Sequence, residues 1–432
     1  MSQERGPGNR ISRKQMLRLF GAGGAGLTLG AGGATLAATS YAAARDANAK
    51  RAEAGAPVAR VPFFGRYQAG IATPQQEHLH FAAFDLTVED ASAVRDLLKA
   101  WSDAAARMCV GDPAGEDNYS TFLPPDDTGE AFDLSPARLT ITFGFGPGLF
   151  EKDGEDRFGL ASHRPAALAD IPPLPGESLD ESKSGGDLCV QACADDPQVA
   201  FHAVRNLARI ARGTAVVRWS QLGFGRVAST SKAQATPRNL MGFKDGTANI
   251  KAEDEELMDR HVWAEPGDGP SWMDGGAYMV ARRIRMLIEV WDRVSLDDQE
   301  KSIGRHKYTG APIGAKEEFH PVDLEAKGED GAPLTPENSH VRLSRASGRE
   351  KILRRGYSFT DGMDPERGQL DAGLFFICFQ RDPREQFVPL QRRLGENDAL
   401  NEYIQHTGSA LFACPPGASE GGYVGEGLFD KA

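Results

Sequence analysis

The chain has 432 residues, of which 40% are hydrophobic and 8% aromatic, enough for two or three domains with packed cores. Its formal net charge of -12 at pH 7 opposes binding to the phosphate backbone of nucleic acids. A nucleic-acid partner is therefore not expected. Five cysteines are too few to frame a fold of this size with disulfide bonds.

The first 44 residues have the pattern of an export signal. Basic residues between positions 10 and 18 precede an uncharged run, mostly glycine and alanine, at 19–44. Residues 12–17 resemble the twin-arginine export motif, with Lys14 in place of the second arginine. We expect export to the periplasm, the cell envelope or the medium, with cleavage or retention as a membrane anchor left open. Residues 45–62, charged and rich in alanine, have the composition of a linker.

An N-terminal domain is expected at residues 63–235. Hydrophobic periodicity predicts a strand at 78–86, a helix at 89–108, a strand at 138–145, a helix at 197–211 and a strand at 214–224. This order is close to the β-α-β-β-α-β repeat of a ferredoxin-like fold. Cys189 and Cys193 are compatible with a local disulfide, with half of a metal site, or with two small apolar residues on a helix or turn.

A second domain is expected at residues 236–432. It shows a similar series: a strand at 277–290, a short helix at 296–303, strands at 352–358 and 373–380, and a helix at 384–394. The predicted fold class is therefore α+β, with two ferredoxin-like domains. Stretches rich in glycine, proline and acidic residues at 111–136, 170–186 and 325–339 are expected to form surface insertions.

The segment at 242–249, GFKDGTAN, places one carboxylate inside a loop bounded by glycines. Glycine permits backbone conformations that are closed to other residues, so the backbone here can approach a flat ligand closely. Asp and Asn themselves favour turns. By itself the pattern therefore predicts a turn that carries Asp245.

This segment resembles the distal-loop signature of the dye-decolourising (DyP-type) haem peroxidases, in which the Asp lies on the peroxide side of the iron. His340, in the segment NSHVR at 338–342, matches the part of that family that carries the proximal iron ligand. Further similarity lies at 303–312, 352–357 and 374–383, and it extends with gaps from Phe63 to the C-terminus.

The resemblance implies a barrel of the dimeric α+β type, with one haem b per chain in a cleft of the C-terminal half. His340 is then the expected iron ligand, and Asp382 is the first candidate to accept a hydrogen bond from its other ring nitrogen. A surface position at the end of a strand is the alternative for Asp382.

On the peroxide side, Asp245 is the expected acid and base, and Arg354 is expected to stabilise negative charge. Arg355 is the competing arginine, and alternation along a strand implies that the two arginines point to opposite faces. Candidates for the haem propionates are Arg342 first, and then Arg305 and the backbone of Gly246, Thr247 and Ala248. An ordinary core position is the first expectation for Phe359, Leu374 and Phe376, with contact to the haem ring as the alternative.

The expected function is a peroxidase that uses hydrogen peroxide to oxidise organic or dye-like substrates in one-electron steps. A small-molecule or protein electron donor is implied, and assembly into a homo-oligomer is left open. The alternatives are a deferrochelatase, which removes iron from haem, and a non-enzymatic haem carrier. A carrier needs His340 and an apolar cleft, but it does not need Asp245 together with Arg354. The joint presence of these two residues therefore favours an enzyme over a haem carrier.

Overall fold

The computed structural model describes residues 59–116, 121–345 and 350–430. The predicted export signal at 1–44 and most of the predicted linker at 45–62 lie outside these residues. Within them, every helix is too short or too polar to cross a membrane.

The described residues contain nine strands in one antiparallel sheet that closes on itself. They are β1 (His78–Leu86), β2 (Thr140–Phe145), β3 (Leu188–Ala194), β4 (Ala215–Arg226), β5 (Ala277–Met286), β6 (Leu353–Arg354), β7 (Tyr357–Asp364), β8 (Gln369–Gln380) and β9 (Ile404–Cys414). The sheet order is β5-β9-β2-β3-β1-β4-β7-β8, and the pairing of β8 with β5 closes a barrel. The short strand β6 pairs with β8 beside β7.

Helices pack on the outside of this barrel. The α-helices are α1 (Ala91–Val110), α2 (Pro197–Ile210), α3 (Glu255–His261), α4 (Ile288–Trp291), α5 (Leu296–Ile303), α6 (His340–Leu343), α7 (Phe387–Asn397) and α8 (Glu426–Phe429). In α1, Asp90 caps the first turn by accepting a 2.9 Å hydrogen bond from Ser92 N, and Gly111 ends the helix at a left-handed φ of 88°.

The barrel consists of two ferredoxin-like halves, as the sequence predicts. The first half follows the order β1-α1-β2-β3-α2-β4 and is arranged β2-β3-β1-β4. In the second half β5, β7, β8 and β9 take the same places, in the arrangement β9-β5-β8-β7. The halves meet where Phe224 on β4 pairs with Ser358 on β7, and where Phe145 on β2 pairs with Ala413 on β9.

The described residues form three hydrophobic clusters, and the two largest pack against the two faces of the closed sheet. One fills the barrel with aromatic residues such as Phe81, Phe375 and Phe412. The other lies between the outer face of the sheet and the helices, and includes Trp101, whose side chain is completely buried. Burial of one such side chain contributes roughly 1.5–3 kcal/mol to stability, so both cores hold the barrel closed.

The placement of Cys189 and Cys193 on a helix or turn is wrong, because both lie on β3. This strand was missed since each of its seven residues is buried, which removes the alternation of apolar and polar residues that marks a strand with one exposed face. All five cysteines are buried and free, so no disulfide forms in this structure. Strand β9 was missed as well.

Several predicted boundaries differ from the structure. The strand predicted at 277–290 ends at Met286, and α4 begins at Ile288. The strand predicted at 352–358 is divided into β6 and β7. A long insertion without regular strands or α-helices joins α5 to α6 through residues 304–339, and it packs over the site described below.

Candidate active site

A cavity of about 440 Å³ lies on the outer face of the second half of the sheet, against α6 and α7. Alternation along β8 explains its position: Phe375 and Ile377 point into the barrel core, while Leu374 and Phe376 point outward and line the cavity. Most of its wall is apolar. The apolar lining includes Phe243, Ile284, Met286, Leu374, Phe376, Phe387, Leu390 and Leu394.

The loop at 242–249 forms one side of the cavity, as expected for the segment that carries Asp245. Gly246 has a φ of 98°, in the left-handed region. A Cβ atom there would lie 3.0 Å from the backbone Cα of Ala228 and 3.1 Å from Ser229 N. Any other residue would therefore both strain the backbone and displace its neighbour. Two backbone hydrogen bonds of 3.0 Å, from Asp245 N to Pro237 O and from Asn249 N to Gly246 O, fix the shape of the loop.

Asp245 and Arg354 form an ion pair that lines the cavity. Arg354 Nη1 donates to Asp245 Oδ1 at 2.5 Å, although 109 residues separate them in the chain. Asn239 Nδ2 donates a weaker bond of 3.3 Å to the other carboxylate oxygen. Each side chain of the pair is less than one third exposed, 18% for Asp245 and 28% for Arg354. The pair thus holds opposite charges next to an apolar space.

The choice between the two neighbouring arginines is decided by strand direction. Arg355 is completely buried and points into the barrel, where Nη1 donates to Thr73 O at 2.5 Å and Nη2 donates to Gln76 Oε1. Arg354 points the other way, into the cavity. The two arginines therefore lie on opposite faces, as alternation predicts.

His340 begins α6 and lines the cavity. Its Nδ1 lies 2.6 Å from Asp398 Oδ2, in a buried carboxylate that also accepts a 2.9 Å bond from Leu400 N. Burial opposes protonation of the imidazole, but the Asp398 carboxylate, with a further contribution from Asp245, raises the pKa of His340 above its ordinary value. Among the described residues His340 Nε2 has no hydrogen-bond partner. An Nδ1–H donor leaves the Nε2 lone pair available to a ligand in the cavity.

The prediction that Asp382 is the acceptor for His340 is wrong. Asp382 does follow β8, but its carboxylate turns into its own loop, where it accepts from Arg384 N at 2.9 Å and forms a 2.6 Å ion pair with Arg384 Nη2. The acceptor is Asp398, which follows α7. Sequence reasoning missed it because the residue lies in a turn between α7 and the unpredicted strand β9.

Arg342 does not line the cavity. It lies two residues after His340 on a helix of 3.6 residues per turn, so it projects from a different side, and donates to Thr335 O at 3.0 Å and Leu324 O at 2.5 Å. Arg345, which sequence reasoning missed, lines the cavity instead. In the part of the chain that the structure describes, its guanidinium has no hydrogen bond or ion pair. Burial, and then the charge of Arg354, lower its pKa.

Arg305 is a second basic group on the cavity wall. Its Nη1 donates to Gly310 O at 2.5 Å and to Glu318 O at 3.0 Å. Burial and the neighbouring charge of Arg345 lower the pKa of Arg305. Arg305 and Arg345 thus place two cations on the cavity wall, and such a pair is suited to binding an anion.

Glu318, in the insertion at 304–339, anchors the loop that carries Asp245. Its carboxylate accepts a 3.0 Å bond from Thr247 Oγ1 and forms an ion pair with Lys244 Nζ. The Glu318 side chain is 9% exposed, and these contacts tie residues on both sides of Asp245 to the insertion. No periodicity or motif marked this residue in the sequence.

The remaining predicted residues divide between the cavity and the core. The backbone segment of Gly246, Thr247 and Ala248 lines the cavity, as do Leu374 and Phe376. Phe359 lies in the barrel core, the position expected first for it, and does not line the cavity. Together, an imidazole whose Nε2 has no partner among the described residues, an apolar wall and two basic side chains form a donor set that fits haem.

Two profiles of one family match most of the chain. "Dyp-type peroxidase, N-terminal" matches residues 68–225, and "Dyp-type peroxidase, C-terminal" matches residues 236–419. The dye-decolorizing peroxidase of Thermobifida fusca is 42% identical over 380 residues, which cover 84% of each chain. The deferrochelatase of Escherichia coli (strain K12) is 37% identical over 375 residues, which cover 85% of this chain and 86% of the relative.

Solved structures agree with this similarity. A DyP-type peroxidase from Streptomyces coelicolor superposes with a TM-score of 0.79 at 42% identity, covering 86% of this chain and 97% of that chain. Ferric DtpA from Streptomyces lividans gives a TM-score of 0.78, also at 42% identity, with 86% and 97% covered. The chain therefore belongs to the Dyp-type peroxidase family and is a haem peroxidase.

Proposed function

We propose that the cavity holds one haem b, that His340 Nε2 binds its iron, and that Asp245 and Arg354 act on hydrogen peroxide. One observation carries the proposal. An imidazole whose Nδ1 is bound to a buried carboxylate and a paired Asp and Arg line the same apolar cavity. Neither arrangement is needed to hold the barrel together, because both lie outside its core.

The Asp398 carboxylate has two effects on His340. It selects the tautomer with hydrogen on Nδ1, and it increases the basicity of Nε2, which strengthens a bond from that nitrogen to a metal. The buried position of Asp398, 2% exposed, keeps this hydrogen bond away from competing water. The imidazole is thus oriented before any ligand binds.

Haem bound here supplies the iron centre at which the oxygen–oxygen bond of hydrogen peroxide is broken. Asp245 accepts a proton from one peroxide oxygen and returns it to the other, which is general base followed by general acid catalysis. Its Oδ2 is suited to this transfer, since the only hydrogen bond to it from the described residues is the 3.3 Å contact from Asn239. The Arg354 guanidinium, which donates to Asp245 Oδ1, stabilises negative charge that develops on oxygen.

The carboxylates of the haem would be bound by basic side chains on the cavity wall. Arg345 is the strongest candidate because its guanidinium has no hydrogen bond or ion pair to the residues that the structure describes, and Arg305 is the second. Removal of these two cations from water costs free energy, and an anionic cofactor offsets that cost. Phe376 and Leu374, which line the cavity, would supply apolar contact to the ring.

The electron donors in this proposal are organic, dye-like molecules that are oxidised one electron at a time. The name of the Thermobifida fusca relative supports this substrate class. We further propose export of the folded protein, on the basis of the signal pattern in residues 1–44. Terminal sequencing of the mature protein from an extracytoplasmic fraction tests it, and a cytoplasmic protein that retains the full N-terminus contradicts it.

The test begins with the full chain, reconstituted with haem and mixed with one equivalent of hydrogen peroxide at acidic pH. We expect a ferric Soret band that converts rapidly to a high-valent spectrum. The variants D245N and R354L should bind haem normally but react at least about 100-fold more slowly, the usual cost of losing one acid–base or electrostatic group. The variant H340A should lose the iron site itself.

Other outcomes identify the alternatives. Stable haem binding with no reaction toward peroxide would make the protein a carrier. Release of iron with appearance of fluorescent, metal-free porphyrin would instead support the deferrochelatase activity named for the Escherichia coli relative. Wild-type reactivity in both distal variants would remove Asp245 and Arg354 from the mechanism.

A further inference from the structure

Asn249 holds the backbone of Arg354 by two hydrogen bonds. Its Nδ2 donates to Arg354 O at 2.8 Å, and Arg354 N donates to its Oδ1, also at 2.8 Å. Arg354 lies on β6, where it pairs with Cys378 of β8 on one edge only. The Asn249 amide satisfies the N–H and C=O groups on the other edge, and so takes the place of one residue of a neighbouring strand.

The backbone of Asn249 belongs to the loop that carries Asp245. Asn249 N donates to Gly246 O at 3.0 Å, and Gly246 directly follows Asp245. Since Arg354 Nη1 donates to Asp245 Oδ1, a closed ring of contacts connects these four residues. Asn249 thus links the two halves of the ion pair a second time, through the main chain.

The side chain of Asn249 has one orientation available. It is 7% exposed, and its Nδ2 donates a further 3.1 Å bond to Ser229 O. Both amide hydrogens and the carbonyl oxygen therefore have partners, and a flipped amide would lose them. Asn249 is not among the residues that line the cavity, so direct contact with a bound molecule does not explain its position.

We propose that Asn249 is a positioning residue, which fixes the guanidinium of Arg354 relative to the Asp245 carboxylate and acts only through the backbone of Arg354. This inference rests on the catalytic role proposed for Arg354. A charged group that stabilises a developing charge must be held in place before the reaction, and a displacement of about 1 Å can lower a rate 100-fold.

The first test uses the full chain loaded with haem. We expect N249A and N249S to slow the reaction with hydrogen peroxide about 10- to 100-fold, without change in haem affinity or in the ferric spectrum. Serine is too short to bridge the two backbone groups, and it keeps a polar side chain if alanine destabilises the fold. N206A is the matched control, since Asn206 is a buried amide with comparable hydrogen bonds to Thr128 and His202, in the other half of the chain. Its rate should stay at the wild-type value.

A second readout does not depend on activity. Arg354 N–H is bonded to Asn249 Oδ1, so its hydrogen exchange should accelerate in N249A and N249S, with and without haem, and stay unchanged in N206A. Unchanged exchange in both Asn249 variants would overturn the proposal.

The decisive measurement is a double-mutant cycle with R354L. If Asn249 acts through Arg354, the change N249A should alter the rate of R354L by less than twofold. An equal loss of rate in both backgrounds would show a general structural effect and overturn the inference, as would a wild-type rate in N249A. A wild-type rate in R354L would instead contradict the proposed function, so the two failures are distinguishable.

Discussion

The Asp398 carboxylate lies 2.6 Å from His340 Nδ1, across 58 residues of sequence. The change D398N keeps the shape of this side chain but removes its negative charge, so the imidazole becomes a less basic ligand. We expect haem affinity or the rate with peroxide to fall 10- to 100-fold, the usual effect of changing the partner of a metal-binding histidine. Haem titration and the spectrum of the iron–imidazole bond provide the measurement.

The matched control is D382N, which removes a carboxylate bound to Arg384 instead of to His340. It should leave haem affinity and rate within about twofold of the wild type, since surface ion pairs of this kind contribute roughly 0–1 kcal/mol. A larger effect of D382N than of D398N on haem binding would contradict the assignment of Asp398.

Replacement of Arg355 should lower the stability of the protein, whereas replacement of Arg354 should lower the rate of its reaction with peroxide. The change R355L leaves Gln76 and the Thr73 carbonyl without their buried partner, and should lower the free energy of unfolding by about 1–3 kcal/mol. The rate with peroxide, measured per bound haem, should be unchanged. Urea unfolding and stopped-flow absorbance give the two values.

The change R354L should show the opposite pattern. Its ion pair with Asp245 is partly exposed to solvent, so we expect a loss of stability of no more than roughly 1 kcal/mol, together with a large loss of rate. Equal effects of the two variants on rate would mean that the direction of each side chain has no bearing on catalysis.

Arg345 should contribute to cofactor affinity. In the change R345Q a cavity-lining cation becomes neutral, and we expect haem to bind at least about tenfold more weakly, because a charge-assisted bond contributes about 1.5–3 kcal/mol. The control is R342Q, which affects a side chain bonded to the carbonyl groups of a loop. If R342Q weakens haem binding more than R345Q, the assignment of the propionate site is wrong.

The stability of the protein should fall on acidification because of a buried histidine far from the cavity. Burial lowers the pKa of His80 from its ordinary 6.5 to about 4. A pKa that is lower in the folded state means that the unfolded chain binds the proton first. Stability is therefore complete above pH 6.5 and is lost as the pH falls from 6.5 toward 4. The expected loss at pH 4.5 is about 2–3 kcal/mol, from 1.36 kcal/mol per pKa unit.

The measurement is urea unfolding of the wild type and of H80Q at pH 7 and pH 4.5. Glutamine does not titrate, so the difference between the two pH values should shrink by about 2–3 kcal/mol in this variant. His406 is buried on the cavity wall, and burial and the charge of Arg282 lower its pKa to about 3. It therefore adds a similar loss of stability at acidic pH, which is the same in the wild type and in H80Q. An identical pH dependence in the two proteins would show that His80 already binds its proton in the fold.

The pattern of residues within a short segment was sufficient to predict a feature of the structure wherever steric limits or periodicity determine that feature. The glycines around Asp245, the amphipathic α1 and the alternation that separates Arg354 from Arg355 all appear in the structure as the sequence predicts. Each depends on steric limits or on periodicity within one segment.

Features that depend on long-range contacts were not predictable in this way. Strand β3 is buried on both faces, so its sequence carries no alternation. The partner of His340 is set by the path of the chain after α7, and Arg345 replaces Arg342 because the turn after α6 brings it back to the cavity. None of these facts is encoded within a short window of residues.

Closure of the barrel makes the first half of the chain necessary for a cavity that none of its described residues lines. Every described residue that lines the cavity lies at position 239 or later. Yet β7 and β9 of the second half complete their hydrogen bonding on β4 and β2 of the first. A fragment that begins near residue 236 would keep every site residue but would expose two unpaired strand edges, and such edges lead to aggregation. The first half of the chain therefore supplies, within the same molecule, the strands that pair with the two edges of the second half.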